Sequence, residues 1–188
     1  MRRDHGTDDR NPYSRFPEPD DGRAAGKVSD TQGLVGKVAV VTGGNSGIGK
    51  ATARLLAERG ARVVITGRRK DAIEAAAIEI GHGVVGLTGD VAEIEHHRRL
   101  AEDIHRRFGG LDIYVANAGI ITLAPTAAVT AAEYDRQFAV NTRGVFFGVQ
   151  ALSPIMHDGG CIVLIGSLAA TQVLENHIVY AGTKAALA

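Results

Sequence analysis

Tyr180 and Lys184 stand four residues apart in Tyr180-Ala181-Gly182-Thr183-Lys184, a spacing that puts a phenol and an ammonium on one face of a helix. A free phenol ionises near pKa ~10, too high for efficient proton transfer at neutral pH. A fixed positive charge beside it stabilises the phenolate and lowers that value, so the pair could serve as an acid-base couple. Alone, a Tyr-x-x-x-Lys pair is common and usually structural. Ser167 adds weight, because it follows the apolar run Cys161-Ile162-Val163-Leu164-Ile165. A hydroxyl just beyond such a strand could face the same cleft and hydrogen-bond a carbonyl oxygen.

The second chemical signal is the turn Thr42-Gly43-Gly44-Asn45-Ser46-Gly47-Ile48-Gly49. Gly43, Gly47 and Gly49 lie between an apolar strand and a helix, where missing side chains let the backbone turn tightly and approach a pyrophosphate. Amides at the helix start, Asn45, Ser46, Gly47 and Ile48 among the turn residues, supply an anion site reinforced by the helix dipole. A lone glycine pattern is weak evidence; here it follows the first strand of an alternating series, the context the mechanism requires.

Ligands of parallel sheets sit beyond the carboxyl ends of the strands, so three further strand ends should meet this cleft. Arg68 follows the second strand, Asp90-Val91 the third and Asn117-Ala118-Gly119 the fourth. An acidic residue often binds the ribose hydroxyls after the second strand. The sequence there is Thr66-Gly67-Arg68-Arg69, and a guanidinium suits a 2′-phosphate, so NADP(H) is favoured over NAD(H).

The elements that must hold these groups follow from periodicity. β-branched runs at 38–42, 62–66, 84–88, 113–116 and 161–165 alternate with helical patterns at 48–59, 71–80, 94–108, 131–156 and 179–188, the fourth interrupted near Asn141. Gly60 and Gly81 read as helix stops. The pattern calls for an α/β fold, a doubly wound parallel sheet with helices on both faces. Residues 1–33, rich in Asp, Arg, Gly and Pro, read as a disordered tail, and 34–188 as the folded domain.

The 188 residues carry a formal net charge of +0 and are 45% hydrophobic, a balance that points away from nucleic acid. No run approaches the roughly 20 apolar residues of a membrane span, so no membrane partner is expected. Cys161 is the single cysteine, which excludes an intrachain disulfide; it reads as a small buried core residue and fits a cytoplasmic location. His96, His97 and His105 lack metal-ligand spacing and read, with Glu95, Arg98 and Glu102, as the polar face of one helix; no metal site is expected. In the segment between Ser167 and Tyr180, Leu168, Val173 and Leu174 favour an apolar substrate wall. Glu175, Asn176 and His177 could add polar selectivity or simply face water.

Together the glycine turn, Asn117-Ala118-Gly119, Asn141, Ser167 and Tyr180/Lys184 resemble the classical short-chain dehydrogenase/reductase family, in the family's order and from about Val35 onward. The resemblance implies a Rossmann-like fold and an NAD(P)-dependent oxidoreductase acting on a small carbonyl or secondary alcohol. It implies Tyr180 as general acid or base, Lys184 lowering its pKa and holding the nicotinamide ribose, and Ser167 polarising the substrate oxygen. Asn141 would hold a water linking Lys184 to a proton relay. Asp90 and Val91 are assigned to the adenine end, and Asn117 to Gly119 to the cofactor cleft. The glycine-turn position often basic in NADP-preferring relatives is Ser46 here, leaving Arg68 to carry that preference. Complete members continue through two further strands, a substrate-covering segment and a closing helix, so the chain is expected to be a fragment lacking the last strands. The alternative is a truncated, non-catalytic nucleotide-binding or regulatory remnant. Helices around Phe146 and Tyr180 commonly form family dimer contacts; a homo-oligomer is expected of the complete protein, and the state of this chain stays open.

Overall fold

The computed structural model describes residues 33–188. The tail expected at 1–33 lies, Gly33 apart, outside the described residues. Strands β1 (Val38–Thr42), β2 (Arg62–Gly67), β3 (Val85–Thr88), β4 (Leu111–Ala116) and β5 (Met156–Leu164) form one sheet in the order β3-β2-β1-β4-β5, with every pairing parallel. Helices α1 (Gly47–Glu58), α2 (Lys70–Ile80), α3 (Ile94–Phe108), α4 (Ala131–Phe138), α5 (Gly144–Leu152) and α6 (Ile178–Ala185) connect or follow them.

All five residues of β1 are buried, as a central strand covered on both faces must be. Its side chains alternate between two cores. Ala39 and Val41 pack with Ala53 and Ala57 of α1 and Ile73 and Ala76 of α2. Val38 and Val40 pack with Leu100 and Ile104 of α3 and Val145 and Leu152 of α5. Each large aliphatic side chain so buried contributes roughly 1.5–3 kcal/mol. The chain winds outward through β2 and β3, then crosses back to β4. The crevice at this reversal lies between the carboxyl ends of β1 and β4, where the glycine turn and Asn117 begin.

Gly60 (φ +90) and Gly81 (φ +74) end α1 and α2 as the sequence suggests, their N–H groups donating to Ala57 O and Ala77 O. The helix expected over 131–156 breaks where Asn141 predicted. A π turn, Ala139–Arg143, separates α4 from α5. Its end comes earlier than periodicity indicated: Ser153–Ile155 forms a 3-10 turn containing Pro154, and Met156 already belongs to β5.

Two expectations are corrected. Cys161 is exposed, not buried. Among the described residues β5 has a hydrogen-bonded neighbour on one side only, and the α1/α2 layer does not reach the face that Cys161 and the 39% exposed Val163 present. Its start is also irregular: Met156 pairs with Leu111 and Cys161 with Ile113, so 157–160 bulges outward through Gly159 at φ +77. His96 and His97 are not on the solvated face of α3. They are 5% and 1% exposed, and His97 continues the inward stripe of Leu100 and Ile104. Arg98, Glu95 and Glu102 do form exposed ion pairs on the opposite face.

Candidate active site

The crevice is built on a polar clasp at the end of β1. Thr42 is 2% exposed, and its Oγ1 accepts hydrogen bonds from the N–H groups of Asn117 and Ala118, both at 3.0 Å. The same hydroxyl lies 3.4 Å from Val115 O, to which it donates. Asn117 Nδ2 returns the bond to Thr42 O at 2.8 Å and reaches Gly43 O at 3.3 Å. The ends of β1 and β4 are thus locked together at the mouth of the cleft.

Glycine is required here by geometry. A Cβ on Gly44 would fall 2.5 Å from Ile65 Cβ, and one on Gly49 would fall 2.4 Å from Asn117 Nδ2 and 2.5 Å from Gly43 O. Gly43 and Gly47 adopt φ +66 and +52, which L side chains rarely adopt. Ser46 caps α1 in an extended conformation without a side-chain bond, and no acidic residue occupies the first turn. The first amides of α1 therefore keep their capacity for an anion.

These groups open onto a cleft of about 800 Å³. Gly43, Asn45, Ser46, Gly47, Ile48, Arg68, Asp90, Val91, Asn117, Ala118 and Gly119 all line it. Of the expected cofactor residues, Gly49 supports the turn from behind, and Tyr180 and Lys184 stand outside the lining. Arg68 and Arg69 are exposed, and neither is paired with a carboxylate among the described residues. The cradle of bare backbone and the free helix amides fit the pyrophosphate of a dinucleotide.

Behind the third strand end, His96 packs so closely on Gly89 that an added Cβ would lie 2.0 Å from its Nδ1. Asp90 Oδ1 accepts from Ala92 N at 2.9 Å, and His97 Nε2 donates to Val91 O at 2.8 Å. Burial, then His97 and Arg99, push His96 down to about 4. Burial also lowers His97 despite its bond to Val91. Both rings are therefore neutral at physiological pH, and His96 Nε2 and His97 Nδ1 are buried without partners among the described residues.

At the other end of the cleft, the π turn delivers Asn141, fully buried, to the start of the segment after β4. Its Oδ1 accepts from Ile120 N at 2.8 Å, while Nδ2 donates to Ile120 O at 2.8 Å and Thr183 Oγ1 at 3.0 Å. Thr183 Oγ1 in turn donates to Tyr180 O at 2.7 Å. Lys184 is 4% exposed, and its Nζ donates to Ile165 O at 2.7 Å and lies 5.9 Å from the Tyr180 ring centre. Burial lowers its pKa, and no carboxylate neutralises it among the described residues. The bond to Ile165 fastens α6 to the end of β5, two residues before Ser167. Ser167 Oγ accepts from Ala169 N at 3.2 Å, which leaves its O–H free to donate.

The two ends join at Gly119, where an added Cβ would sit 3.4 Å from Asn141 Oδ1 and 3.7 Å from Lys184 Nζ. Three positioning residues were missed by sequence reasoning: Thr42, Thr183 and Gly44. Thr42 gave a signal in hindsight, a hydroxyl closing an otherwise apolar strand. Thr183 lay unnoticed between Tyr180 and Lys184.

Comparison with known proteins agrees with this geometry. The model of the short chain dehydrogenase family matches residues 37–188. A hydroxynaphthalene reductase-like protein of Metarhizium brunneum is 41% identical over 162 residues, 82% of this chain and 60% of that protein. Versicolorin reductase 1 of Aspergillus parasiticus is 40% identical over 165 residues, 85% of this chain and 63% of that protein. Among solved structures, a short chain dehydrogenase from Burkholderia cenocepacia in complex with NADP superimposes with a TM-score of 0.78 at 38% identity, covering 82% of this chain and 65% of that one. The chain thus spans less than two thirds of the length of these relatives. With its parallel sheet, glycine crevice and matched segment from Lys37 to Ala188, the chain belongs to the short-chain dehydrogenase/reductase family.

Proposed function

We propose that the protein transfers a hydride between NADP(H) and the carbon of a small carbonyl compound or secondary alcohol, with Tyr180 moving the proton. The observation that carries this reading is Lys184: a buried, unneutralised ammonium fixed by Ile165 O on the same helix face as Tyr180, next to the glycine that closes the cleft. A buried cation without a carboxylate is costly unless an anion or a reaction uses it.

A bound nicotinamide dinucleotide supplies or accepts the hydride. The residues divide the remaining work. Amides at the start of α1 hold the pyrophosphate, Asp90 and Val91 border the adenine, and Arg68 binds the 2′-phosphate. Ser167 donates its free O–H to the substrate oxygen and fixes it before Tyr180. In reduction, Tyr180 gives its phenolic proton to that oxygen as the carbonyl carbon becomes tetrahedral. Lys184, one helical turn on, favours the phenolate so formed. One of its three N–H donors is spent on Ile165, leaving two for the ribose and for a water. Asn141, with one lone pair of Oδ1 unspent, holds that water, through which a proton passes from solvent to Lys184 and back to Tyr180.

The name of the hydroxynaphthalene reductase-like relative points to a hydroxylated aromatic carbonyl substrate. Leu168, Val173 and Leu174, exposed between Ser167 and α6, offer the apolar wall such rings need. Phe146, 61% exposed on α5, is where a second copy would pack in the complete protein. The test is NADPH oxidation against a panel of aromatic ketones. Turnover that Tyr180→Phe reduces by about a hundredfold or more supports the reading; cofactor binding without Tyr180-dependent turnover contradicts it.

A further inference from the structure

We propose that His177 sets substrate specificity by accepting, through Nε2, a hydrogen bond from a hydroxyl on the substrate ring beside the reacting carbonyl. This rests on the reading of Tyr180 as the group that meets the substrate oxygen. His177 caps α6 and lies one turn before Tyr180, so the side chains of 177, 180 and 184 succeed one another along one helix face. The two rings meet edge to face, with centroids 6.4 Å apart and planes at 66°.

The tautomer follows from one bond. His177 Nδ1 lies 2.6 Å from the backbone oxygen of Glu175, an atom that can only accept. Nδ1 therefore carries the proton, and Nε2 of the neutral ring presents a lone pair. No partner among the described residues takes that lone pair. The backbone that carries the ring is also held in place. Asn176 adopts φ +61, a conformation Asn tolerates better than most residues, and its carbonyl accepts from Ala124 N at 3.2 Å. The His177 carbonyl accepts from Ala181 N at 2.7 Å. Leu174, three residues before His177, is 40% exposed, and Ile178, the residue after it, is 56% exposed. Nε2 is thus an acceptor on an oriented, half-exposed ring that meets the ring of the proton-transfer residue. An apolar ring without a hydroxyl leaves it unpaired, whereas a ring hydroxyl completes it. A neutral hydrogen bond of this kind discriminates by about three- to tenfold.

The experiment titrates the NADP⁺-loaded chain with α-tetralone and its ring-hydroxylated derivatives by calorimetry, and compares His177→Leu and His177→Gln. The expected result is tighter binding of at least one hydroxylated ketone by about three- to tenfold, a ratio that falls to unity in His177→Leu and is partly restored by the amide oxygen of His177→Gln. An unchanged ratio in His177→Leu, no preference in the unaltered chain, or no ketone binding at all overturns the proposal. Parallel assays of NADPH oxidation with Tyr180→Phe separate it from the oxidoreductase reading: absent turnover would sink that reading while the binding ratio still reports on His177.

Discussion

Gly49→Ala sets two effects against each other. Gly49 is helical and its φ is not positive, so helix propensity alone favours alanine by about 1 kcal/mol. The new methyl would lie 2.4 Å from Asn117 Nδ2, 2.5 Å from Gly43 O and 3.0 Å from Gly43 C. Gly43 is backbone and cannot swing aside. Relief requires the Asn117 amide to leave Thr42 O and Gly43 O, two bonds worth about 1 kcal/mol each. Overpacking adds about 1–3 kcal/mol. Sterics win, for a net loss of about 2–4 kcal/mol and a fall in Tm on the order of 8 °C for a chain of this size. Because Gly43 and Asn117 line the cleft, NADPH affinity should fall by about tenfold as well. Thermal melts followed by circular dichroism and NADPH fluorescence titration read the two effects. Gly47→Ala is the control: no atom lies within 4 Å of its Cβ, so only the φ +52 conformation costs, about 1–2 kcal/mol. A Gly49→Ala protein that melts at or above the unaltered chain would refute the reasoning.

Other perturbations probe the rest of the cleft. His96 is held near 4 when folded and returns to about 6.5 when unfolded, so between those values the unfolded chain binds a proton the folded chain refuses. Stability should therefore fall as pH drops through this window, by up to roughly 3 kcal/mol, and stabilities from urea melts at a series of pH values should fall less steeply with acid in His96→Gln than in the unaltered chain. Arg68→Ala should weaken NADPH by about tenfold and NADH little, measured by fluorescence titration; equal losses would remove the 2′-phosphate assignment. Asn141→Ala leaves the part-buried Ile120 N and O without their side-chain partner and removes the donor to Thr183 Oγ1, which keeps its bond to Tyr180 O, and urea denaturation should show a loss of about 1–3 kcal/mol.

What the residue pattern revealed and what it hid divide along physical lines. The glycine turn, the strand ends at Arg68, Asp90 and Asn117, and the interruption at Asn141 are local signals: chain conformation at each depends on a few neighbouring residues. The parallel sheet followed from the same alternation, since β-branched runs separated by helices have few other solutions. Features set by distant contacts were not legible. His97 was classed with its polar neighbours, yet it sits three and seven residues before Leu100 and Ile104 and follows them into the core. Cys161 looked buried by its apolar neighbours, but burial depends on what lies beside and above β5. Thr42 and Thr183 are invisible as clasps until Asn117 and Asn141 are brought to them from 75 and 42 residues away.

The central claim is that one cleft holds a reduced dinucleotide while Tyr180 protonates the carbonyl that receives its hydride. A single-turnover reaction with NADPH deuterated at the hydride-bearing ring carbon tests it most directly. Mass spectrometry of the product alcohol from an aromatic ketone should find deuterium on the carbinol carbon, formed about a hundredfold or more slower by Tyr180→Phe at NADPH concentrations that saturate both proteins. Equal rates from the two proteins, or no labelled alcohol from a chain that binds both ligands, would contradict it.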